Sequence, residues 1–187
     1  MLKKKTVCGL DEVGKGALAG PVVVACVSFK NYNNVPFEVR DSKKISKMQR
    51  LSLYKKIKEI AQIGVGVVSN KVIDKIGITK AVDLAANKAF YENKFLVNKV
   101  LADGNIRLKT ELPLINLIKG DSNYVSIASA SIIAKVTRDI IMIKFSKVYS
   151  KYNLHKNMGY GTKDHLLALS KYGITNIHRK SFKIKNI

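Results

Sequence analysis

Two adjacent acids, Asp11 and Glu12, stand at the end of the apolar run Thr6-Val-Cys-Gly-Leu10, and a glycine-rich turn, Val13-Gly-Lys-Gly16, follows at once. Beyond the turn the chain is almost continuously hydrophobic from Ala17 to Phe29. Two runs rich in apolar and β-branched residues, separated by glycines, predict strands at Thr6–Leu10 and Val22–Phe29. Carboxylates set between buried strands lose their hydration, a cost that only a partner or a bound cation offsets. The rest of the chain makes the pair conspicuous: 34 Lys and Arg stand against 13 Asp and Glu, a net charge of +21. A strongly basic folded domain is suited to a polyanion, nucleic acid first. Lysine-rich composition is the blander source of that charge, since 29 of the 34 cations are Lys. Composition does not explain where the acids stand.

At 187 residues, 47% hydrophobic and 25% charged, the chain has enough apolar surface for one ordinary core. We expect one main domain over 1–150 and a small C-terminal segment, 151–187, packed on it. The charged start Met1-Leu-Lys-Lys-Lys5 is followed by no signal-peptide core, because Asp11 and Glu12 interrupt it. No segment reaches the roughly 18 uncharged apolar residues of a membrane span, so a cytoplasmic protein is expected. Cys8 and Cys26 fall in predicted strands and read as buried thiols.

Further along, Ser46 can cap a helix running to about Ala61, and Ile63–Val68 reads as a third strand whose glycines call for close packing. A second helix is expected from Thr79 to about Phe95, and short buried strands at Lys99–Ala102 and Leu114–Ile118, each ending at an aspartate. A long helix from Val125 to Tyr149 and a last one at Thr162–Lys171 complete an α/β layered domain. Small residues from Ser126 to Ala134 suit a helix lying close on the sheet.

Asp103, in Ala102-Asp-Gly104, and Asp121, in Lys119-Gly-Asp-Ser122, follow those two short strands. In open α/β sheets functional groups gather where strands reach their carboxyl ends. If the strands before Asp11, Asp103 and Asp121 are parallel neighbours, four carboxylates including Glu12 converge on one edge. Such hard oxygen ligands suit Mg²⁺ or Mn²⁺ rather than zinc. Each aspartate read alone is equally a turn or helix-cap residue. Two nucleotide motifs fail: Ala19 occupies the third glycine of a dinucleotide fingerprint, and the phosphate-loop glycine is missing before Gly14-Lys15.

At these residues the chain resembles ribonuclease HII, the bacterial type 2 ribonuclease H. The resemblance rests on Gly9-Leu-Asp-Glu-Val-Gly-Lys-Gly-Ala-Leu-Ala-Gly-Pro21, Asp41-Ser-Lys-Lys-Ile-Ser46, Ala102-Asp-Gly104, Lys119-Gly-Asp-Ser122 and Ser129-Ala-Ser-Ile-Ile-Ala-Lys-Val-Thr-Arg-Asp139. Gly159-Tyr-Gly-Thr162, His165 and His178-Arg-Lys-Ser-Phe182 complete it in order. It implies a ribonuclease H-like fold, a five-stranded mixed sheet flanked by helices with a small helical C-terminal part. It also implies endonucleolytic cleavage of RNA paired with or joined to DNA, leaving 3′-hydroxyl and 5′-phosphate ends, by a monomer using two Mg²⁺ or Mn²⁺ ions.

Carried over by position, the resemblance makes Asp11, Glu12, Asp103 and Asp121 the metal-binding catalytic carboxylates. Gly14, Lys15 and Gly16 match a backbone motif that reads the ribose 2′-hydroxyl, and Tyr160 a ring packed on the neighbouring deoxyribose. Asp139 matches a supporting position in the long helix. Lys43, Lys44 and Lys119 are phosphate-contact candidates, though an exposed Lys is commonly just solvated. Lys15 stands where ribonuclease HII usually carries Arg and ribonuclease HIII carries Lys. Asn157-Met158 stands where His-Lys is common, which removes a cation expected at the substrate edge. The alternatives are ribonuclease HIII-like specificity for longer hybrids and a basic nucleic-acid-binding protein without catalysis.

Overall fold

The computed structural model of the chain describes residues 6–41, 45–93 and 96–183. Strand β1 (Val7–Val13) pairs antiparallel with β2 (Val22–Phe29), which pairs antiparallel with β3 (Ala61–Val68). On its other side β1 runs parallel to β4 (Lys99–Asp103), and β4 runs parallel to β5 (Leu114–Leu117). The result is the expected five-stranded mixed sheet, in the order β3-β2-β1-β4-β5.

β1 is longer than its apolar run. Asp11 and Glu12 lie inside it, opposite Ala25 and Val24 of β2, because the partner strand continues the ladder past the last apolar residue. Helix α1 (Lys47–Ile60) starts at a reciprocal cap: the Ser46 hydroxyl accepts from the Gln49 amide at 3.3 Å, and Gln49 Oε1 accepts from the Ser46 amide at 2.8 Å. It stops at Ile60, and β3 begins at Ala61, two residues before the expected strand. Helices α3 (Ile78–Glu92), α4 (Val125–Val148) and α6 (Lys163–Tyr172) follow the sequence periodicity closely. The expected end of the second helix, Phe95, lies outside the described residues. Two helices, α2 (Asn70–Ile76) and α5 (Leu154–Asn157), were not expected, being too short to display a period.

Both sheet faces are covered. Val22, Val24 and Cys26 pack against the alanine face of α3 (Ala81, Ala85, Ala89), whereas Val23, Ala25 and Val27 pack against Leu53 and Ile57 of α1 and Ile132 and Ile133 of α4. Alternation along β2 thus divides one buried strand between two cores. At Gly64 and Gly66 of β3 a Cβ would strike the Ala89 and Ala85 carbonyls, so the close packing expected there is supplied by α3. Ser126, Ser129 and Ala130 of α4 are buried, as its small residues required. Cys8 and Cys26 are buried free thiols; the neighbouring Cys8 thiol and burial push Cys26 well above the ordinary thiol range.

A third cluster joins Met142 of α4 and Ala19 of the glycine turn to Tyr152, Leu154, Leu169 and Ile177. At its centre two buried imidazoles meet. The Thr175 amide donates to His178 Nδ1 at 2.9 Å, which leaves the proton of His178 on Nε2. That Nε2–H donates to His165 Nε2 at 3.2 Å, and His165 Nδ1–H donates to the Tyr160 carbonyl at 2.9 Å. The relay requires both rings neutral. Burial depresses both imidazoles, His178 to about 4 with His165 contributing.

A depressed folded-state pKa contributes stability that is present above the unfolded value of about 6.5 and is lost as pH falls through about 4. Imidazole ¹⁵N NMR is expected to show His165 as the Nδ1–H tautomer and His178 as the Nε2–H tautomer at pH 7.5, with His178 still uncharged at pH 5. Titration of either ring near pH 6.5 would contradict the relay.

Candidate active site

Side chains alternate along β1, so Cys8, Leu10 and Glu12 face the α3 layer while Asp11 and Val13 face α4. The parallel register sets Leu10 opposite Ala102, which brings Asp11 and Asp103 to neighbouring strand ends one step further on. Asp103 Oδ1 accepts from the Gly120 amide at 2.9 Å. Gly120 belongs to the short turn Gly120–Ser122, which carries Asp121 and leads into α4. Asp121 therefore stands beyond the end of β5, which stops at Leu117, and not on the strand end that the sequence suggested. The left-handed backbone of Lys119, φ 57°, makes the bend that aims the Gly120 amide at Asp103.

Glu12 reaches the same edge from the other face: a Cβ on Gly104 would lie 3.9 Å from Glu12 Oε2. The Glu12 amide donates to Asp11 Oδ1 at 2.7 Å. Asp11 and Asp121 are buried, 8% and 4% exposed, so the edge is poorly hydrated where these two stand. A recess of about 290 Å³ opens beside Asp121, bordered by Ser122, Asn123, Tyr124, Val125 and Ala128. Among the described residues no three Asp, Glu, His or Cys side chains converge closely enough to hold one ion. Asp11, Glu12 and Asp103 stand within electrostatic reach of one another, Asp121 follows Gly120 in the adjoining turn, and one oxygen each of Asp11 and Asp103 is engaged by a backbone amide.

Past β1 the chain enters the glycine turn, where Lys15 and Gly16 are exposed. Gly14 has φ 90°, and a Cβ there would collide with the Arg138 side chain. The Leu18 amide donates to the Gly159 carbonyl at 2.8 Å, which fastens the turn to the segment bearing Tyr160. Tyr160 is half-buried with the Arg138 guanidinium 5.2 Å from its ring centroid. Asn157 and Met158 point inward, and Asn157 accepts from the Gly159 amide at 2.8 Å. Asp139 pairs with Lys135 at 2.8 Å on α4. Lys119 is exposed; Lys43 and Lys44 lie outside the described residues.

The family model described as Ribonuclease HII matches residues 8–185. The chain belongs to the ribonuclease HII family. Relatives named Ribonuclease HII include one from Rickettsia akari, 45% identical over 95% of this chain and 91% of its own length. Another, from the Wolbachia of Brugia malayi, is 43% identical over 94% of this chain and 87% of its own length. Among solved structures, ribonuclease H2 from Pyrococcus horikoshii superposes with a TM-score of 0.75 at 26% identity, covering 95% and 94% of the two chains. The ribonuclease HII in a complex with PCNA from Archaeoglobus fulgidus shares the fold, with TM-score 0.84, 24% identity and 97% of both chains covered. A ribonuclease HIII described in complex with Mn²⁺ also shares it, with TM-score 0.75, 20% identity, 92% of this chain and 64% of the other.

As a type 2 ribonuclease H, the chain is an endonuclease, and the electrostatics of its ribonuclease HII edge suit a divalent cation. Burial raises Asp11 to about 7; the Glu12 and Asp103 charges add to this, and a hydrogen bond with the Ser131 hydroxyl opposes it. Burial also raises Glu12, against the pull of Lys15. Lys15 Nζ stands 3.8 Å from Glu12 Oε1 with its side chain 52% exposed, a pair too solvated to neutralise the edge. An all-oxygen, like-charged and partly dehydrated set fits a hard cation.

Sequence reasoning did not single out Ser131, Gly120 or the buried Arg138 and Arg179. One signal for the arginines was available: only five of 34 cations in this chain are Arg, and among the described residues Arg138 and Arg179 are buried.

For an acid raised in the folded state, the penalty appears as pH rises from the unfolded value of 3.8 through about 7 and persists above. Asp11→Asn removes that penalty. In chelating buffer at pH 8 the variant is expected to melt several degrees above the parent, corresponding to about 2–4 kcal/mol. The gap should close towards pH 4. A parent that melts at or above the variant at pH 8 would show that Asp11 is not electrostatically strained.

Proposed function

We propose that this ribonuclease HII cleaves the RNA strand of RNA–DNA hybrids and incises duplex DNA on the 5′ side of a single embedded ribonucleotide. The ends produced are a 3′-hydroxyl and a 5′-phosphate. The observation that carries the reading is the meeting of Asp11, Glu12 and Asp103 at the neighbouring ends of β1 and β4, with Asp103 bonded to the turn that carries Asp121 after β5. Asp11, Glu12, Asp103 and Asp121 hold Mg²⁺ or Mn²⁺, which when bound supplies an activated water and neutralises charge on the leaving oxygen. The Mn²⁺ complex of the ribonuclease HIII that shares this fold is consistent with the assignment.

The protein's own groups position the substrate. Backbone groups of Gly14, Lys15 and Gly16 meet the ribose 2′-hydroxyl, the group that distinguishes RNA from DNA. The Tyr160 ring packs on the next sugar and leaves no room for a second hydroxyl. Lys43 and Lys119 contact phosphates. Residues 1–150 carry the chemistry and 151–187 supply Tyr160, in a cytoplasmic monomer. Lys15 favours one second reading, ribonuclease HIII-like preference for long hybrids, because that family carries Lys at the position.

Duplex DNA containing one ribonucleotide, incubated with Mg²⁺ or Mn²⁺, separates the readings. Incision 5′ to the ribonucleotide is expected, with most activity lost in single alanine variants of Asp11, Glu12, Asp103 and Asp121, and weaker junction preference in Tyr160→Ala. Cleavage confined to long hybrids would favour the second reading, and turnover in excess chelator would exclude metal dependence.

The charge of +21 leads to a further expectation. Affinity for hybrid duplex should fall steeply with salt, following the trend of B-form DNA, where log K falls by roughly 0.9 per phosphate neutralised for each tenfold rise in salt. A flat salt titration would mean that the lysines are solvated and not engaged.

A further inference from the structure

Arg138 and Arg179 are 0% and 1% exposed, and their six hydrogen bonds all end on main-chain carbonyls. Arg179 donates to Gly14 at 2.7 Å, Lys15 at 2.9 Å and Gly20 at 3.1 Å. Arg138 donates to Ala19, Pro21 and Met158, and its guanidinium lies against the Tyr160 ring. Burying a guanidinium is costly; here several converging carbonyls offset the cost, with help from the Asp139 charge for Arg138 and the Asp74 charge for Arg179. Burial pushes Arg179 down, to about 10.

The direction of those carbonyls has a consequence on the other side of the turn. In a planar trans peptide the carbonyl of one residue and the amide of the next point opposite ways. With the Gly14 and Lys15 carbonyls drawn inward, the Lys15 and Gly16 amides face outward on the exposed crest of the turn. Arg179 is itself held on both sides by α2. Asn70 donates to the Asn176 and His178 carbonyls at 2.9 and 3.2 Å, and Asp74 accepts from the Lys180 and Ser181 amides at 3.1 and 3.0 Å.

We propose that Arg179 is a positioning residue for ribose recognition: by holding two carbonyls inward it presents the Lys15 and Gly16 amides to the substrate 2′-hydroxyl. This rests on the reading of Gly14–Gly16 as the ribose contact. A lysine at 179 would keep the charge, but as a point donor it cannot span three carbonyls.

The test compares the parent, Arg179→Lys and Asp74→Asn on duplex DNA with one ribonucleotide, using the same duplex without it as a competitive inhibitor. Thermal melting establishes that each variant is folded. For Arg179→Lys, kcat/KM is expected to fall about tenfold, the worth of a hydrogen bond to a positioned group, while Ki of the all-DNA duplex is unchanged. Asp74→Asn should move kcat/KM the same way by a smaller factor, and it decides alone if Arg179→Lys melts below the assay temperature. Folded variants with parental kcat/KM, or a parallel loss in Ki, would overturn the proposal and leave Arg179 a strut. A parent that binds both duplexes equally and cuts neither overturns the ribose reading itself, and the proposal with it.

Discussion

Desolvation of like charges is the constraint on which this structure turns. Asp11 is buried among other carboxylates, with its nearest compensation a serine hydroxyl and one backbone amide. The protein tolerates this because the surrounding scaffold leaves the carboxylates little freedom to move apart. β1 is locked between an antiparallel and a parallel neighbour, and α4 lies across the face that Asp11 occupies. Rigid packing of small residues, Ser126 to Ala134 against the sheet, prevents the edge from relaxing. Strain of this kind is expected where a site is prepared for a cation.

The basic side of the molecule follows a different rule. Most cations are lysines on the surface, where a solvated ammonium serves a polyanion through its field. Among the described residues the two buried cations are arginines, and each binds several backbone carbonyls, a task for a planar fork. These arginines tie the glycine turn to the C-terminal segment, and the histidine relay continues that tie to Tyr160. The glycine turn and the Tyr160 segment are thereby held by side-chain bonds to main-chain carbonyls, most of them between residues far apart in sequence.

How far the sequence could be read differs from element to element. The strand at Val22–Phe29 and the Ser46 helix cap were legible because they depend on residue type and on neighbours within a few residues. α2 was not, since seven residues show no period and its helix is fixed by what it packs on and holds. β1 was read three residues short because Asp11 and Glu12 look like a strand end; only pairing with Ala25 and Val24 carries the ladder through them. Asp121 was assigned to a strand end for the same reason, while the Lys119 bend that carries it into a turn depends on tertiary fit.

By itself the sequence determined the α/β class and the apolar faces and singled out four carboxylates as candidates, since these follow from residue type and spacing. The tertiary structure decided that Asp11 and Glu12 reach one edge from opposite faces of the sheet, and that Asp103 is held by Gly120. It also decided that Arg138 and Arg179 serve the backbone instead of a phosphate. Those outcomes depend on strand register and on carbonyl directions across more than a hundred residues, which no local pattern of side chains encodes.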